Sequence, residues 1–439
     1  MTTSHRTIAR RTPLVLWQPS LPDQYLTANP DELAAGITRR RRELGSRLII
    51  LGHHYQTDEV IRHADFTGDS LKLSQLAAKV AAQPGGTTEG KPTVEWVVFC
   101  GVHFMAESAD MLTPQHVDVI LPDLSAGCSM ADMAQYDDTV IAWDAIHESL
   151  REQGWTGRVV PITYVNSSAA IKAFVGDHGG ACCTSSNAHE VFRWAMNGGT
   201  EPLADGIDPG SGIKILFLPD QHLGRNTAAA YGIDTDRETT VYDPKLARKG
   251  QPLGGSTPDA ILASRVILWA GHCSVHKLFR PEHVAAIRAH DRAHPTDEPT
   301  RVLVHPECSK SVVDLADLSG STEFIINTIR NAPEHSRWAI GTETNLVNRI
   351  ANEAAKRHVD VRMLSECQCL CTTMYRIDQA HLLWALDHLA GAFSKDATPK
   401  PVNVVKVHPQ ARESALLALN RMLEHTGTKF APDTILAVD

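Results

Sequence analysis

Long apolar runs are missing from this chain of 439 residues. None comes near the roughly 18 residues that a membrane helix needs, so no membrane span is expected. The opening stretch MTTSHRTIARRTPLVLWQPS is basic, but its apolar part is confined to residues 13–17. That is too short for a secretory core, and no small-residue cleavage pattern follows, so the protein is expected in the cytoplasm. Basic clusters interleaved with aromatics are missing as well. Aromatics make up 6% of residues and the net charge is −9, which argues against nucleic acid as a partner. The acidic balance does not bear on a small substrate, because a local site can be positive on an acidic protein. Neither the C-x2-C pairs of zinc ribbons nor the C-x3-C-x2-C spacing of radical enzymes that use S-adenosylmethionine occurs.

Cysteines, by contrast, are plentiful: there are nine. In a cytoplasmic chain they read as thiols, ligands or nucleophiles, not as disulfides. Three lie far apart, each in a tight polar loop after an apolar run: Cys128 in SAGCSMAD, Cys273 in WAGHCSVH and Cys371 in ECQCLCTTM. A structural zinc usually takes four ligands. Three thiolates converging on one point would instead hold a metal or cluster with one coordination position open to chemistry. Other choices stay open at this stage. Cys308, in a polar motif, is a further candidate, whereas Cys100 and Cys182 read as packed thiols. In the run Cys367, Cys369, Cys371, alternate residues point opposite ways, so at most one or two can reach a common centre.

Length favours two to four domains. One unit recurs along the chain: a short apolar run, a polar or glycine-bearing loop, then a helical pattern. Strands are expected over 48–51 and 94–99, and further runs occur in VVPITYVNSS, IKILFLPDQHLGR, SRVILWAGHCSVH, TRVLVHPECSK, RWAIGTETN, VDVRMLSECQC and VNVVKVHPQ. Such runs between helical segments indicate βαβ units and parallel sheets, buried on both faces. Almost every polar motif follows a strand, and in open α/β sheets ligands bind beyond the carboxyl ends of the strands. Two or three small α/β domains facing a shared centre fit this pattern. Residues 1–45 read as an N-terminal extension with a helix over 31–43. Segments 83–93 and 231–256, rich in turn residues, read as surface insertions.

The polar motifs each have a plain and a chemical reading. In HHYQ, His53 and Tyr55 stand two apart and could face one way. The histidine would bind a carboxylate or carry a proton, and the tyrosine would relay one. Equally, one could cap a helix and the other pack. GDSLKLS (Ser70), YVNSSAA (Tyr164, Asn166), CCTSSNA (Thr184, Ser185, Ser186) and SGSTEF (Ser321, Thr322) are hydroxyl-rich helix starts. One alone is ordinary capping. Several after strands suit a substrate with several negative groups. HPEC offers His305 and Glu307 as an acid–base pair or a structural one. LPDQHLGRN (Asp220, His222, Arg225) is compatible with catalysis or with hydrogen bonding between domains, and Glu343 in GTETNLVNRI suits a helix dipole.

In order from about residue 47 to 378, HHYQ, GDSLKLS, FCGVHFMAESADML, AGCSMAD, YVNSSAAIKA, CTSSNA, FLPDQHLGR, WAGHCSVH, HPEC, SGST, GTETNLV and CLCTTMYRID resemble the quinolinate synthase family. The resemblance covers about three quarters of the chain. It implies an α/β fold of three similar three-layer α/β/α domains with parallel sheets around a pseudo-threefold axis, the active site at their junction. The implied division is 1–45 as extension, 46–127 plus 371–439, 128–272, and 273–370. It implies a [4Fe–4S] cluster on Cys128, Cys273 and Cys371, the last cysteine before x-x-Met. Cys367 and Cys369 would then be free to form a reversible redox pair. The implied reaction condenses iminoaspartate with dihydroxyacetone phosphate to quinolinate, with loss of phosphate and two waters, in NAD biosynthesis. Tyr55, His305 and Glu307 would be catalytic. His53, Ser70, Tyr164, Asn166, Ser185, Ser186, Ser321 and Thr322 would bind substrate. Functional coupling to L-aspartate oxidase, the source of the imine, is a further implied partnership. A hydro-lyase of the aconitase type would share the open iron but leave the anion sites unexplained. An iron–sulfur or zinc sensor would need an output surface that the sequence does not offer.

Overall fold

The computed structural model describes residues 18, 20–82, 94–201, 212–295, 298–366 and 369–425. Apolar β-branched runs form the middle of three sheets. The first holds β1 (Leu48–His53), β2 (Phe66–Gly68), β3 (Trp96–Cys100), β4 (Asp118–Ile120) and β14 (Val404–Val405). The second holds β5 (Arg158–Tyr164), β6 (Ala181–Cys183), β7 (Ile213–Leu218), β8 (Thr239–Tyr242) and β9 (Val266–Trp269). The third holds β10 (Thr300–Val304), β11 (Leu318–Ser319), β12 (Arg337–Gly341) and β13 (Asp360–Met363). β1 and β3 are buried along their whole length, as parallel strands covered on both faces must be.

The three sheets share one plan. Leaving aside the edge strands β8 and β14, each sheet has four strands that lie side by side in the chain order second, first, third, fourth, all parallel: β2-β1-β3-β4, β6-β5-β7-β9 and β11-β10-β12-β13. The chain is therefore an α/β protein built from three units of like topology. Loops after equivalent strands must emerge at equivalent places, at the carboxyl edge of each sheet.

The departures from expectation have local causes. Strands β2, β4, β6, β8 and β11 are two to four residues long, too short to show a period. β8 lies within 231–256, so this segment is not a mere insertion: Thr-Thr-Val-Tyr adds an edge strand beside β9. Its Tyr242 is fully buried and stacks on Trp269 at 5.5 Å. β14 pairs antiparallel with β4, unlike every other strand here. Segment 83–93 lies outside the described residues.

The helices at both ends of the described residues pack onto the sheets. The helix Pro30–Leu44 starts in a capping box of Asn29 and Glu32 and buries Leu33, Ile37 and Leu44 in the core of the first sheet. It lies along the helix Gln379–Leu389, where Asp387 accepts hydrogen bonds from Tyr25 and Arg40, each at 2.5 Å. The helix Pro409–His425 follows β14 of the first sheet but packs on the helix Ala169–Asp177 of the second, sharing its core through Ala415, Ala418 and Leu419. Gly176 permits that approach, because a Cβ there would stand 1.9 Å from the Ser414 carbonyl oxygen. No helix among the described residues is long and apolar enough to cross a membrane. Gly176→Ala is expected to cost about 1–3 kcal/mol by overpacking, read as a lower urea midpoint. An unchanged midpoint would show that the two helices do not press together there.

Candidate active site

One cavity lies where the carboxyl edges of the three sheets meet, and equivalent loops line it. After the first strand of each sheet come His53 and Tyr55, Tyr164 and Asn166, His305 and Glu307, each pair two residues apart. After the second strand come Ser70, Ser185 and Thr322. After β4, β9 and β13, which occupy the same place in the three sheets, come Cys128, Cys273 and Cys371. Two expected residues lie elsewhere. Ser186 faces an adjoining cleft and its hydroxyl meets that of Thr184 at 2.9 Å. Ser321 caps the helix Thr322–Arg330 by accepting from the Phe324 amide at 3.3 Å, which is the plain reading of such a serine.

The three cysteines occupy the same local structure. Each begins a single helical turn, with its carbonyl accepting from the amide four residues on: Asp132 to Cys128 at 3.0 Å, Lys277 to Cys273 at 3.1 Å, Tyr375 to Cys371 at 3.1 Å. Amides inside each turn point at the sulfur, from Met130 and Ala131, from His276, and from Thr373 and Met374. A hydroxyl residue follows each cysteine: Ser129, Ser274 and Thr372. This C-[S/T] pattern was present in the sequence and would have singled out Cys371 from its neighbours. Cys308 and Cys369 are fully buried in the core beneath the third sheet, away from the cavity. Cys367 lies outside the described residues, and with it the pairing of Cys367 and Cys369.

Burial pushes all three thiols up, Cys128 to about 12, and the turn amides only partly oppose it. The thiols also sense one another, so each further negative charge costs more. Such a set loses its protons only when a cation takes their place, which is the chemistry of a metal centre. Cys273, His276 and Glu307 also offer donor atoms within 4.8 Å of one another. The donors fit a metal or metal cluster.

Around the thiols lies a buried acid–base group. Burial raises Glu307, but the His276 and His305 rings and hydrogen bonds from His276 and Tyr164 outweigh it and hold the carboxyl below its ordinary range. His276, 1% exposed, places Nδ1 3.0 Å from Glu307 Oε2 and stacks on His305 at 4.4 Å. Burial lowers His53 and His305 to about 3 each. In both, Nδ1 accepts the amide two residues on, Tyr55 at 3.1 Å and Glu307 at 3.3 Å. Each neutral ring therefore carries its proton on Nε2. Burial, with the nearby Glu307 charge, holds Tyr55 and Tyr164 well above the ordinary phenol range. His276 was missed from sequence. His276 could have been found as C-x-x-H, one helical turn beyond Cys273.

Side chains from one sheet hold the loops of the next. Glu107, on the helix His103–Leu112 after β3, accepts from the Ala169 amide at 2.9 Å, just past Tyr164 and Asn166. Asn226, on the helix Gln221–Tyr231 after β7, donates to the carbonyls of Pro306 and Cys308, each at 2.8 Å, and so flanks Glu307. Asn345 and Arg349, on the helix Thr344–Ala355 after β12, hold the carbonyls of His54, Tyr55 and Gln56. The LPDQHLGRN motif proves structural. Asp220 caps its helix through the His222 and Leu223 amides, and Arg225 ties down Thr235 and Thr239. Glu343 likewise caps its helix at Leu346 and faces the Cys371 amide, while burial lifts its carboxyl to about 8. Asn226→Ala removes two bonds to buried carbonyls and is expected to cost about 1–3 kcal/mol in chemical unfolding. A cost below about 0.5 kcal/mol would mean that water replaces the amide there.

Comparisons with known proteins agree with this arrangement. A family model described as Quinolinate synthetase A protein matches residues 35–424. A quinolinate synthase of Herpetosiphon aurantiacus is 48% identical over 407 residues, covering 92% of this chain and 96% of that protein. One from Nocardioides sp. is 49% identical over 409 residues, covering 92% of each, and one from Acidobacterium capsulatum is 47% identical over 406 residues, covering 92% of this chain and 96% of that protein. With matches of that extent, and with motifs that meet in one cavity, the chain belongs to the quinolinate synthase family.

Proposed function

We propose that the chain condenses iminoaspartate with dihydroxyacetone phosphate, releasing phosphate and two molecules of water, and so supplies quinolinate for NAD biosynthesis. The observation that carries this reading is the trio of like cysteine turns lining one buried cavity beside an ionised carboxylate. Cys128, Cys273 and Cys371 would hold a [4Fe–4S] cluster. When bound, the cluster supplies a Lewis-acidic iron free of protein ligands, suited to the removal of water.

The remaining roles follow from position and charge. Ser70 begins the helix Ser70–Ala82 and Thr322 begins another, so their hydroxyls and the free amides there suit the carboxylates and phosphate of the substrates. His53, Tyr164, Asn166 and Ser185 complete that polar lining. Ser186 and Ser321 would act only from behind it. Glu307, held ionised by its histidine neighbours, is the natural proton acceptor, and neutral His305 orients it. Tyr55 keeps its proton near neutral pH and works as a hydrogen-bonding and proton-relaying group. Deep burial keeps water from the imine. In this reading the chain divides into 1–45, 46–127 plus 371–439, 128–272 and 273–370, with the helix Pro409–His425 lent to the second unit. The enzyme works in the cytoplasm, where L-aspartate oxidase would hand over the short-lived imine.

A second reading comes from the close set of Cys273, His276 and Glu307, which could hold a single metal ion. Material purified without oxygen separates the two. The cluster reading expects about four iron and four sulfide per chain, with visible absorbance lost in each of Cys128→Ala, Cys273→Ala and Cys371→Ala. A single ion without sulfide, lost only in Cys273→Ala, would overturn it. Activity is read by forming quinolinate anaerobically from the imine donor and the triose phosphate, and no product from cluster-loaded enzyme would reject the assignment.

A further inference from the structure

One residue of the YVNSSAAIKA motif has no part in the roles assigned so far. Lys172 lies one turn into the helix Ala169–Asp177 and is fully buried. Helical side chains lean toward the amino end, and its ammonium reaches back past the helix start to donate to the Ser167 carbonyl. The Ser167 hydroxyl in turn donates to the Tyr164 carbonyl at 2.8 Å. Lys172 thus stands behind the loop of Tyr164 and Asn166, which lines the cavity. The ammonium also lies over the ring of Phe104, another lining residue, 5.5 Å from its centroid.

Stability gives no reason for a cation here. Among the described residues no carboxylate forms an ion pair with it. Glu107 is near enough for its charge to be felt, but its carboxylate is taken by the Ala169 amide at 2.9 Å. The positive end of a helix dipole also disfavours a positive side chain. Burial lowers the pKa of the ammonium, and Cys182, Glu107 and Cys128 oppose that only in part. The other buried lysine is different. Lys214, at the amino end of β7, donates to the carbonyls of Leu262 and Ser264 at 2.6 and 2.5 Å and is accounted for by them. A charge buried against the interest of folding is expected where function uses it.

We propose that Lys172 is the counter-charge of the cavity, supplying from behind the Asn166 loop the positive potential that the lining itself lacks, and so favouring ligands in proportion to their negative charge. No direct contact is needed, because charge carries further through a buried wall than through water. The inference rests on the functional reading above, in which the substrates and the product are anions.

The test compares ligands of different charge on anaerobic, cluster-loaded chains. Lys172→Met removes the charge at similar volume, and Lys172→Gln keeps a donor for the Ser167 carbonyl without the charge. Calorimetry measures binding of quinolinate, with two carboxylates, and of nicotinate and picolinate, with one each. Both variants are expected to bind each monocarboxylate about threefold more weakly and quinolinate about tenfold more weakly. The urea midpoint of the methionine chain should equal or exceed that of the parent, because an unpaired buried charge has been relieved. Cluster absorbance should be unchanged. The quinolinate and midpoint results decide by themselves should the monocarboxylates bind too weakly to measure. Unchanged quinolinate affinity, losses that ignore ligand charge, full affinity in the glutamine variant, or a methionine chain that unfolds more readily or does not fold would leave Lys172 a structural donor to Ser167 and overturn the proposal. A parent chain that does not bind quinolinate would instead reject the functional reading, and the proposal with it.

Discussion

The carbonyls of the loops that carry Tyr55 and Glu307, and the amide at the helix start after Asn166, are each held by a side chain from a different sheet. Glu107 reaches from the first sheet to the second, Asn226 from the second to the third, and Asn345 with Arg349 from the third to the first. The gripping side chain always stands on the helix after the third strand, and the gripped loop always follows a first strand. The site is thus closed by a ring of polar contacts to backbone. Each neutral bond of this kind contributes about 0.5–1.5 kcal/mol, and the charged Arg349 and Glu107 contribute more. Each bond fixes backbone that the apolar packing of the neighbouring side chains does not fix by itself. The geometry of the cavity is a property of three sheets together.

Charge within the cavity follows from burial. Glu307, Asp220 and the three thiols are all sequestered from water. Asp220 is pushed well above the ordinary carboxylate range by its burial and then by the charge of Glu307. Glu307 alone is held ionised, because the adjacent histidine rings and the hydrogen bonds from His276 and Tyr164 outweigh the effect of its burial. The site therefore keeps one negative charge and suppresses the rest, leaving the thiols dependent on a cation to ionise. Neutral His53 and His305 add hydrogen bonds without adding charge. A negatively charged substrate entering here would meet amides and hydroxyls, with no lysine or arginine among the described lining residues.

Much of this was legible in the sequence, for identifiable reasons. The long strands declare themselves because parallel strands must be apolar on both faces, so β1, β3, β5 and β7 are unbroken runs. Loops after strands declare themselves as polar motifs. Three kinds of feature were hidden. Strands such as β11, of two residues, exist through their register with β10 and not through any pattern of their own. The antiparallel pairing of β14 depends on where the chain returns, which no local signal encodes. The choice of Ser185 and Thr322 over Ser186 and Ser321 turns on which face of a tight turn meets the cavity, and adjacent hydroxyls look alike in a sequence. His276 was overlooked for a similar reason, since its contact with Glu307 is visible only once the third sheet's loop stands beside it.

The threefold plan explains why the cysteines are alike and the other loops are not. A cubane-like group held through three corners, as proposed, would present the same demand to each unit, and each unit has the same turn after β4, β9 or β13, down to the hydroxyl residue after the cysteine. The proposed substrates have no such symmetry. The positions after the first strands accordingly differ: a histidine and a tyrosine, a tyrosine and an asparagine, a histidine and a glutamate, all with the same spacing of two. A common frame fixes where these side chains stand, and their unlike chemistry gives the cavity a direction. Glu307 and its histidines make one side acceptor-rich, while the helix starts at Ser70 and Thr322 make another donor-rich. Two different substrates could then be oriented head to tail across the same three thiols by a scaffold whose parts are built to one plan.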